Sequence, residues 1–228
     1  MIFRGIYLNI FLLEQDLLEL NNNLNQELLE NINNLKFTQD RNRRAFGYYL
    51  ISQVIKELAQ TDKLWNFSEQ GKPFFPGIAF NVSHDNRWVV IVAQKDLEDS
   101  CKLGVDVCNL TDVQISDFDD YLTRKEVEWI DNKKNRFYMI WALKEAYTKG
   151  IGDGLGFDFK RLEFTLTEES RITARIDGVE SDWDFSIQFL DKEHVVAIAS
   201  NNEIPRKEFE IQNASQIPRN SSEARVIH

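Results

Sequence analysis

Glu145 and Lys149 lie four residues apart in the run Trp141-Ala-Leu-Lys-Glu-Ala-Tyr-Thr-Lys149, and at helical spacing they share a face with Trp141. Lys144 projects roughly a quarter-turn away, so one carboxylate and two ammonium groups leave the same side of the helix beside an indole. A second set of cations, Arg41, Arg43 and Arg44, falls in the first turns of another helical pattern. Partial positive charge and unpaired N–H groups already gather at that end of a helix, so a bound anion would relieve the repulsion. Ser83 and His84 close one strand-like run, and Asp106 stands in another at the edge of a buried sheet. Each feature also has a plainer account. Glu145 and Lys149 can be a solvated acid-first pair worth about 0.2–0.5 kcal/mol. The arginines can be balanced by Asp40 and water, and His84 can be a packing or capping residue.

The rest of the chain must position these groups. With 228 residues, 43% of them hydrophobic, there is enough material for one large domain or two small ones with a substantial core. A net charge of −10 and a pI near 4.9 disfavour non-specific binding to nucleic acid or to anionic membranes, so any anion site has to be built from local clusters of cations. Cys101 and Cys108 are the only cysteines, too few for a disulfide scaffold and without metal-ligand spacing, which fits a reducing, cytoplasmic setting. The apolar stretch from Met1 to Leu13 is interrupted by Arg4 and Asn9, is too short to span a bilayer and lacks a signal-peptide cleavage site.

Phe3 to Ile10 reads as a strand, and the Asn-, Leu- and Glu-rich run from Asn21 to Asn34 as either a weak helix or a biased surface excursion. Ile51, Val54, Ile55, Leu58 and Ala59 make Thr38 to Gln60 a core helix. The glycines and prolines of Gly71 to Gly77 predict a turn region that holds Lys72 in an extended segment. Ile78 to His84 and Trp88 to Gln94 predict a hairpin, and Leu103 to Cys108 a strand with Val105 and Val107 on its core face and Asp106 and Cys108 on the other. Thr123 and Glu126 have capping-box spacing, opening a helix that contains Val127, Trp129 and Ile130. The helix containing Phe137, Ile140 and Trp141 follows, with Gly150 and Gly152 placed after its last turn. Phe157 to Leu166, Arg171 to Ile176, Phe185 to Leu190 and His194 to Ser200 read as antiparallel strands, and the segment from Glu203 as a mostly disordered tail.

Taken in order, Gly71-Lys-Pro, Phe80-Asn-Val-Ser-His84, Trp88-Val-Val, Gly104-Val-Asp-Val, Phe137 to Lys149 and Gly152-Asp-Gly-Leu155 resemble the 4′-phosphopantetheinyl transferases of the Sfp type. The resemblance is good from Arg41 to Leu155, and the Trp-x-x-Lys-Glu-x-x-x-Lys helix is its most specific block. It implies an α+β fold: a pseudo-two-fold pair of similar α+β subdomains, residues 1–102 and 103–202, followed by the tail 203–228. It also implies a monomer that moves the phosphopantetheine arm of coenzyme A onto a serine of an apo acyl or peptidyl carrier protein, with Mg2+, releasing adenosine 3′,5′-bisphosphate.

Carried onto this sequence, the resemblance makes Asp106 and Glu145 the metal-binding carboxylates. Glu145 also becomes the acceptor of the serine proton, directly or through a metal-held water, and Lys149 its catalytic companion. Lys149 and Lys144 resemble the family's phosphate contacts; Lys72, Ser83 and His84 correspond to residues that hold the 3′-phosphate, and Arg44 to the nucleotide-end arginine. One position departs: the family's fullest pattern is Gly-x-Asp-x-Glu, and here the last position is Cys108, a poor ligand for Mg2+. That departure motivates an alternative, a relative that binds coenzyme A or a carrier protein without turnover. Against it stands the retention of Asp106, Glu145 and Lys149 together.

Overall fold

The computed structural model describes residues 1–7, 24–69, 71–96, 100–153, 156–167, 171–204 and 210–213. The chain forms two helix-on-sheet halves that meet along one seam, the α+β arrangement expected. Among the described residues no helix is long and apolar enough to cross a membrane.

In the first half, α1 (Gln26–Asn33) and the long α2 (Thr38–Ala59) precede a hairpin of β4 (Ile78–Asp85) and β5 (Trp88–Lys95). Asn25 caps α1 by accepting the Leu28 N–H, which decides the ambiguous Asn-rich stretch in favour of a helix from Gln26. The sheet is completed by β1 (Ile2–Tyr7), antiparallel to β5, and by β12 (Glu210–Asn213), parallel to β1, giving the order β12-β1-β5-β4. The strand read as Phe3 to Ile10 therefore begins at Ile2; positions 8–10 lie outside the described residues. Residues 210–213, placed by sequence in a disordered tail, instead add an edge strand to the first sheet. The backbone N–H of Ile204 is likewise tied, to Asp184 Oδ2 at 2.8 Å. Between α2 and the hairpin, β2 (Asn66–Phe67) pairs with β3 (Pro73–Phe74), and the turn they enclose carries Lys72.

The second half holds β6 (Leu103–Asn109), α3 (Arg124–Ile130) and α4 (Lys134–Ile151), followed by β7 (Leu162–Leu166), β8 (Ile172–Ile176), β9 (Val179–Glu180), β10 (Asp184–Phe189) and β11 (His194–Ser200). The segment before β7, expected to be strand from Phe157, contains a short 3-10 turn over Phe159–Arg161, with Asp158 accepting the Lys160 N–H. Strands β10-β11-β6 form the second main sheet, and β7-β8-β9 a small one.

Strand alternation divides the core into three. Val89, Ile91 and Ala93 of β5 pack with Phe46, Leu50 and Val54 of α2. Val195, Ala197 and Ala199 of β11 pack with Ile140, Leu143 and Ala146 of α4. The opposite faces, Val90 and Val92 of β5 with Val105 and Val107 of β6 and Val196 and Ile198 of β11, share a core between the halves. The lack of a side chain at one position lets α4 lie close on β6: a Cβ on Gly104 would come within 1.9 Å of the Ala146 carbonyl oxygen. Glycine there lets α4 press onto the strand that carries Asp106. Gly150, read as lying beyond the helix, is inside it against the Trp183 ring and Gly104; Gly152, at φ 85°, is the left-handed cap.

Candidate active site

The halves meet without a backbone ladder. Asn81, Ser83 and Asp85, alternate residues of β4, present side-chain oxygens to the N–H groups of Val105, Val107 and Asn109, alternate residues of β6, at 3.3, 3.3 and 2.6 Å. Two edge strands are thus satisfied by side chains, and the polar residues that do it occupy one face of β4. The alternation of polar residues at 81, 83 and 85 along one face of the strand is the signal in the sequence for this seam, and of the three only Ser83 belongs to the expected site.

Halfway along the seam, α4 brings Lys149 over β6. Lys149 Nζ donates to Asp106 Oδ1 at 2.5 Å and to Ser83 Oγ at 2.9 Å, and Ser83 Oγ donates to Asp106 Oδ1 at 3.0 Å. The other carboxylate oxygen, Oδ2, accepts from Cys108 Sγ at 3.0 Å. Burial, then the charge and hydrogen bonding of Asp106, push the Cys108 thiol well above its usual value, so it stays protonated and acts as a donor. Glu145, half-buried one turn before Lys149, has its carboxyl raised by burial and by the neighbouring charge of Asp106, with Lys149 opposing. Two carboxylates from different elements therefore lie close enough to feel each other's charge, with one lysine opposing it. A hard cation would relieve that repulsion: Asp106 and Glu145 are oxygen donors of the kind Mg2+ takes, with phosphate and water able to complete the shell. The donor set fits, although among the described residues no three His, Cys, Asp or Glu gather as a full cage.

Beside this lies a cationic rim. His84 reaches solvent but is partly desolvated, and burial followed by Arg43, Lys149 and Arg44 lowers its pKa from 6.5. Arg43 is fixed there by donating Nε to the Asn86 carbonyl at 3.0 Å, in the turn after His84, and by pairing with Asp40 at 3.0 Å. Arg44 is exposed and takes no carboxylate partner among the described residues. Asp40 thus neutralises only part of the arginine cluster. Lys72, its ammonium lowered by burial, lines a cavity of about 230 Å³ with Phe74, Phe80, Cys101, Leu103 and Gly150.

Two expected ligand contacts are already engaged within the protein. Lys144 does not join the site: its side chain is fully buried on the opposite side of α4, pairs with Glu126 Oε2 at 3.0 Å, and donates to the carbonyls of Phe159 and Leu162. A turn of 100° per residue places neighbouring positions on different faces, and here the second face is core. Ser83 is in the site but is only 4% exposed, and its hydroxyl is committed within the seam. Sequence reasoning also took Glu126 as a helix cap alone. It is that, accepting from the Thr123 N–H at 2.8 Å, but its Oε1 accepts the Phe164 N–H at 2.9 Å and its charge balances Lys144.

A seam between two helix-on-sheet halves, lined by two carboxylates and a rim of cations, has the charge pattern that suits a polyanion together with a hard cation. Residues 102–199 match the 4′-phosphopantetheinyl transferase superfamily. A phosphopantetheinyl transferase from a Thraustochytrium species is 31% identical over 204 residues, covering 77% of this chain and 69% of its own length. The L-aminoadipate-semialdehyde dehydrogenase-phosphopantetheinyl transferase of Xenopus laevis is 32% identical over 203 residues, covering 75% and 66%. The chain thus spans about two thirds of the length of these relatives, and it belongs to the 4′-phosphopantetheinyl transferases. Among solved structures, holo-[acyl-carrier-protein] synthase of Helicobacter pylori in complex with coenzyme A aligns at 17% identity with a TM-score of 0.38, over 42% of this chain and 96% of that one.

Proposed function

We propose that this transferase moves the phosphopantetheine arm of coenzyme A onto a serine hydroxyl of an apo carrier protein, with Asp106 and Glu145 holding Mg2+ and adenosine 3′,5′-bisphosphate leaving. The observation that carries the reading is the convergence of Asp106 from β6, Glu145 and Lys149 from α4, and the cations around His84 on one seam. When bound, the metal would neutralise charge on the pyrophosphate.

The chain's own residues do the rest. The serine oxygen attacks the phosphorus that bears the pantetheine arm, and the bond from that phosphorus to the nucleotide's oxygen breaks. Glu145 takes the serine proton, directly or through a water held beside it. Lys149 neutralises the leaving phosphate, while His84 and Arg44, with Lys72, offer positive charge to the 3′-phosphate. Two free cysteines suit a reducing, cytoplasmic setting.

Intact-mass measurement of an apo carrier protein incubated with this chain, coenzyme A and Mg2+ tests the reading. A gain of one phosphopantetheine arm, abolished by chelator, is expected. Coenzyme A binding without any gain across several carrier classes would overturn turnover and favour the binding-only alternative that Cys108 raises.

A further inference from the structure

Ser83 sits in the motif segment where a phosphate contact is expected, yet every hydrogen-bonding capacity of its hydroxyl is used inside the protein. It donates to Asp106 Oδ1 at 3.0 Å and accepts from Lys149 Nζ at 2.9 Å and from the Val107 N–H at 3.3 Å. A hydroxyl offers one donor and two acceptor positions, so this one is full. It is also buried at 4% exposure, whereas His84, the next residue, faces the cations and solvent. The strand alternates: 83 looks across the seam, 84 looks out.

We propose that Ser83 is a positioning residue that acts through Asp106. Contributed by the first half, it fixes the carboxylate of the second half in the rotamer that leaves Oδ2 beside Cys108, and it fixes the ammonium of Lys149 against the same oxygen. The recognition of the 3′-phosphate belongs to His84 and the arginines, and the orientation of the metal-binding carboxylate belongs to Ser83. The catalytic geometry therefore depends on the two halves keeping their register, since the β4–β6 seam and the Ser83–Asp106 bond are the same contact. This rests on reading Asp106 as a metal-binding residue.

The test separates nucleotide binding from metal binding, without turnover. Titration calorimetry measures adenosine 3′,5′-bisphosphate binding, and electron paramagnetic resonance measures Mn2+ binding in saturating coenzyme A, for the wild type, Ser83→Ala, Ser83→Thr and His84→Ala. Ser83→Ala is expected to bind the bisphosphate within twofold of wild type and Mn2+ at least fivefold more weakly, with Ser83→Thr, which keeps the hydroxyl, restoring most of the loss. His84→Ala is expected to do the reverse. Weaker bisphosphate binding by Ser83→Ala, or unchanged Mn2+ binding, overturns the proposal. If Ser83→Ala fails to fold, Ser83→Cys, which keeps the bulk with a weaker hydrogen-bonding atom, is read by the same two criteria. Absence of Mn2+ binding in the wild type would instead overturn the metal reading of Asp106, a result distinct from any difference among the variants.

Discussion

Lys144 and Lys149 stand five residues apart on one helix, and each pairs with a carboxylate from another element, but the two pairs differ in what surrounds them. Lys144 and Glu126 are both fully buried, and their other hydrogen-bonding positions are filled by the backbone at Phe159, Leu162, Thr123 and Phe164. Burial pulls the Lys144 ammonium below its usual range, and Glu126 opposes that pull. Lys149 is 31% exposed at its side chain, and its partner Asp106 lies close enough to a second carboxylate to feel its charge. The first pair closes a network that ties α3, α4 and β7 together. The second remains at a solvent-reachable seam where an incoming anion can compete for the lysine. Opposite charges at similar distance thus close a core network in one case and stay within reach of solvent in the other, and the difference is desolvation.

The sharpest way to break the comparison is on the buried side. Glu126→Ala leaves an ammonium without its counter-charge in the core and is expected to cost about 3–5 kcal/mol in denaturant unfolding. The double variant Glu126→Gln with Lys144→Met should stand closer to wild type than Glu126→Ala does, because neither site then buries a charge. Wild-type stability in Glu126→Ala would mean that the pair is not desolvated as described.

On the exposed side the expectation inverts. Asp106→Ala and Glu145→Gln should lower transfer by about a hundred- to a thousandfold, on the order of 3–4 kcal/mol; the melting temperature stays close to wild type in Glu145→Gln and falls in Asp106→Ala, which strips the acceptor from Ser83 and Lys149, with the fold retained. Transfer at the wild-type rate in either would remove that residue from the mechanism.

His84 reports on the rim. Its pKa is lowered from 6.5 by burial and by Arg43, Lys149 and Arg44, so its contribution to stability is present above 6.5 and is lost as pH falls through the lowered folded value. A phosphate brought to the rim favours the charged ring, so adenosine 3′,5′-bisphosphate should raise the His84 pKa by on the order of one unit, and its affinity should grow as pH falls through that interval. Proton NMR of the ring in both states checks this; an unmoved pKa would place the phosphate elsewhere. The smallest effect is expected from Cys108→Glu, which should tighten Mn2+ binding by about two- to tenfold by adding a third carboxylate on the Asp106 face. Weaker binding would show that the thiol's hydrogen bond to Asp106 matters more than an added charge.

Much of this was legible in the chain because it is local. The Thr123–Glu126 capping box, the long helix from Thr38, the hairpin after Ile78, and the alternation that sets Asp106 and Cys108 on one face of β6 all follow from short-range periodicity and turn chemistry. The residue types of the site were legible too: two carboxylates, Lys149 and a cationic rim argue for a polyanion and a hard cation before any fold is known.

Tertiary structure alone decided which of those residues meet. Helical spacing places Lys144 near Glu145 on the α4 surface, but only the packing of α3 and β7 over that face makes it core and supplies Glu126. The apolar density of residues 203–228 is too low to predict a strand, yet β1 offers a free edge that 210–213 pair with. Ser83 and Asp106 are 23 residues apart, and nothing in either segment specifies that one hydroxyl should satisfy the carboxylate, the lysine and a backbone N–H at once. Local sequence sets dihedrals and faces; which faces lose water together is a property of the whole packed chain, and at this seam that loss decides which charges stay available to a ligand.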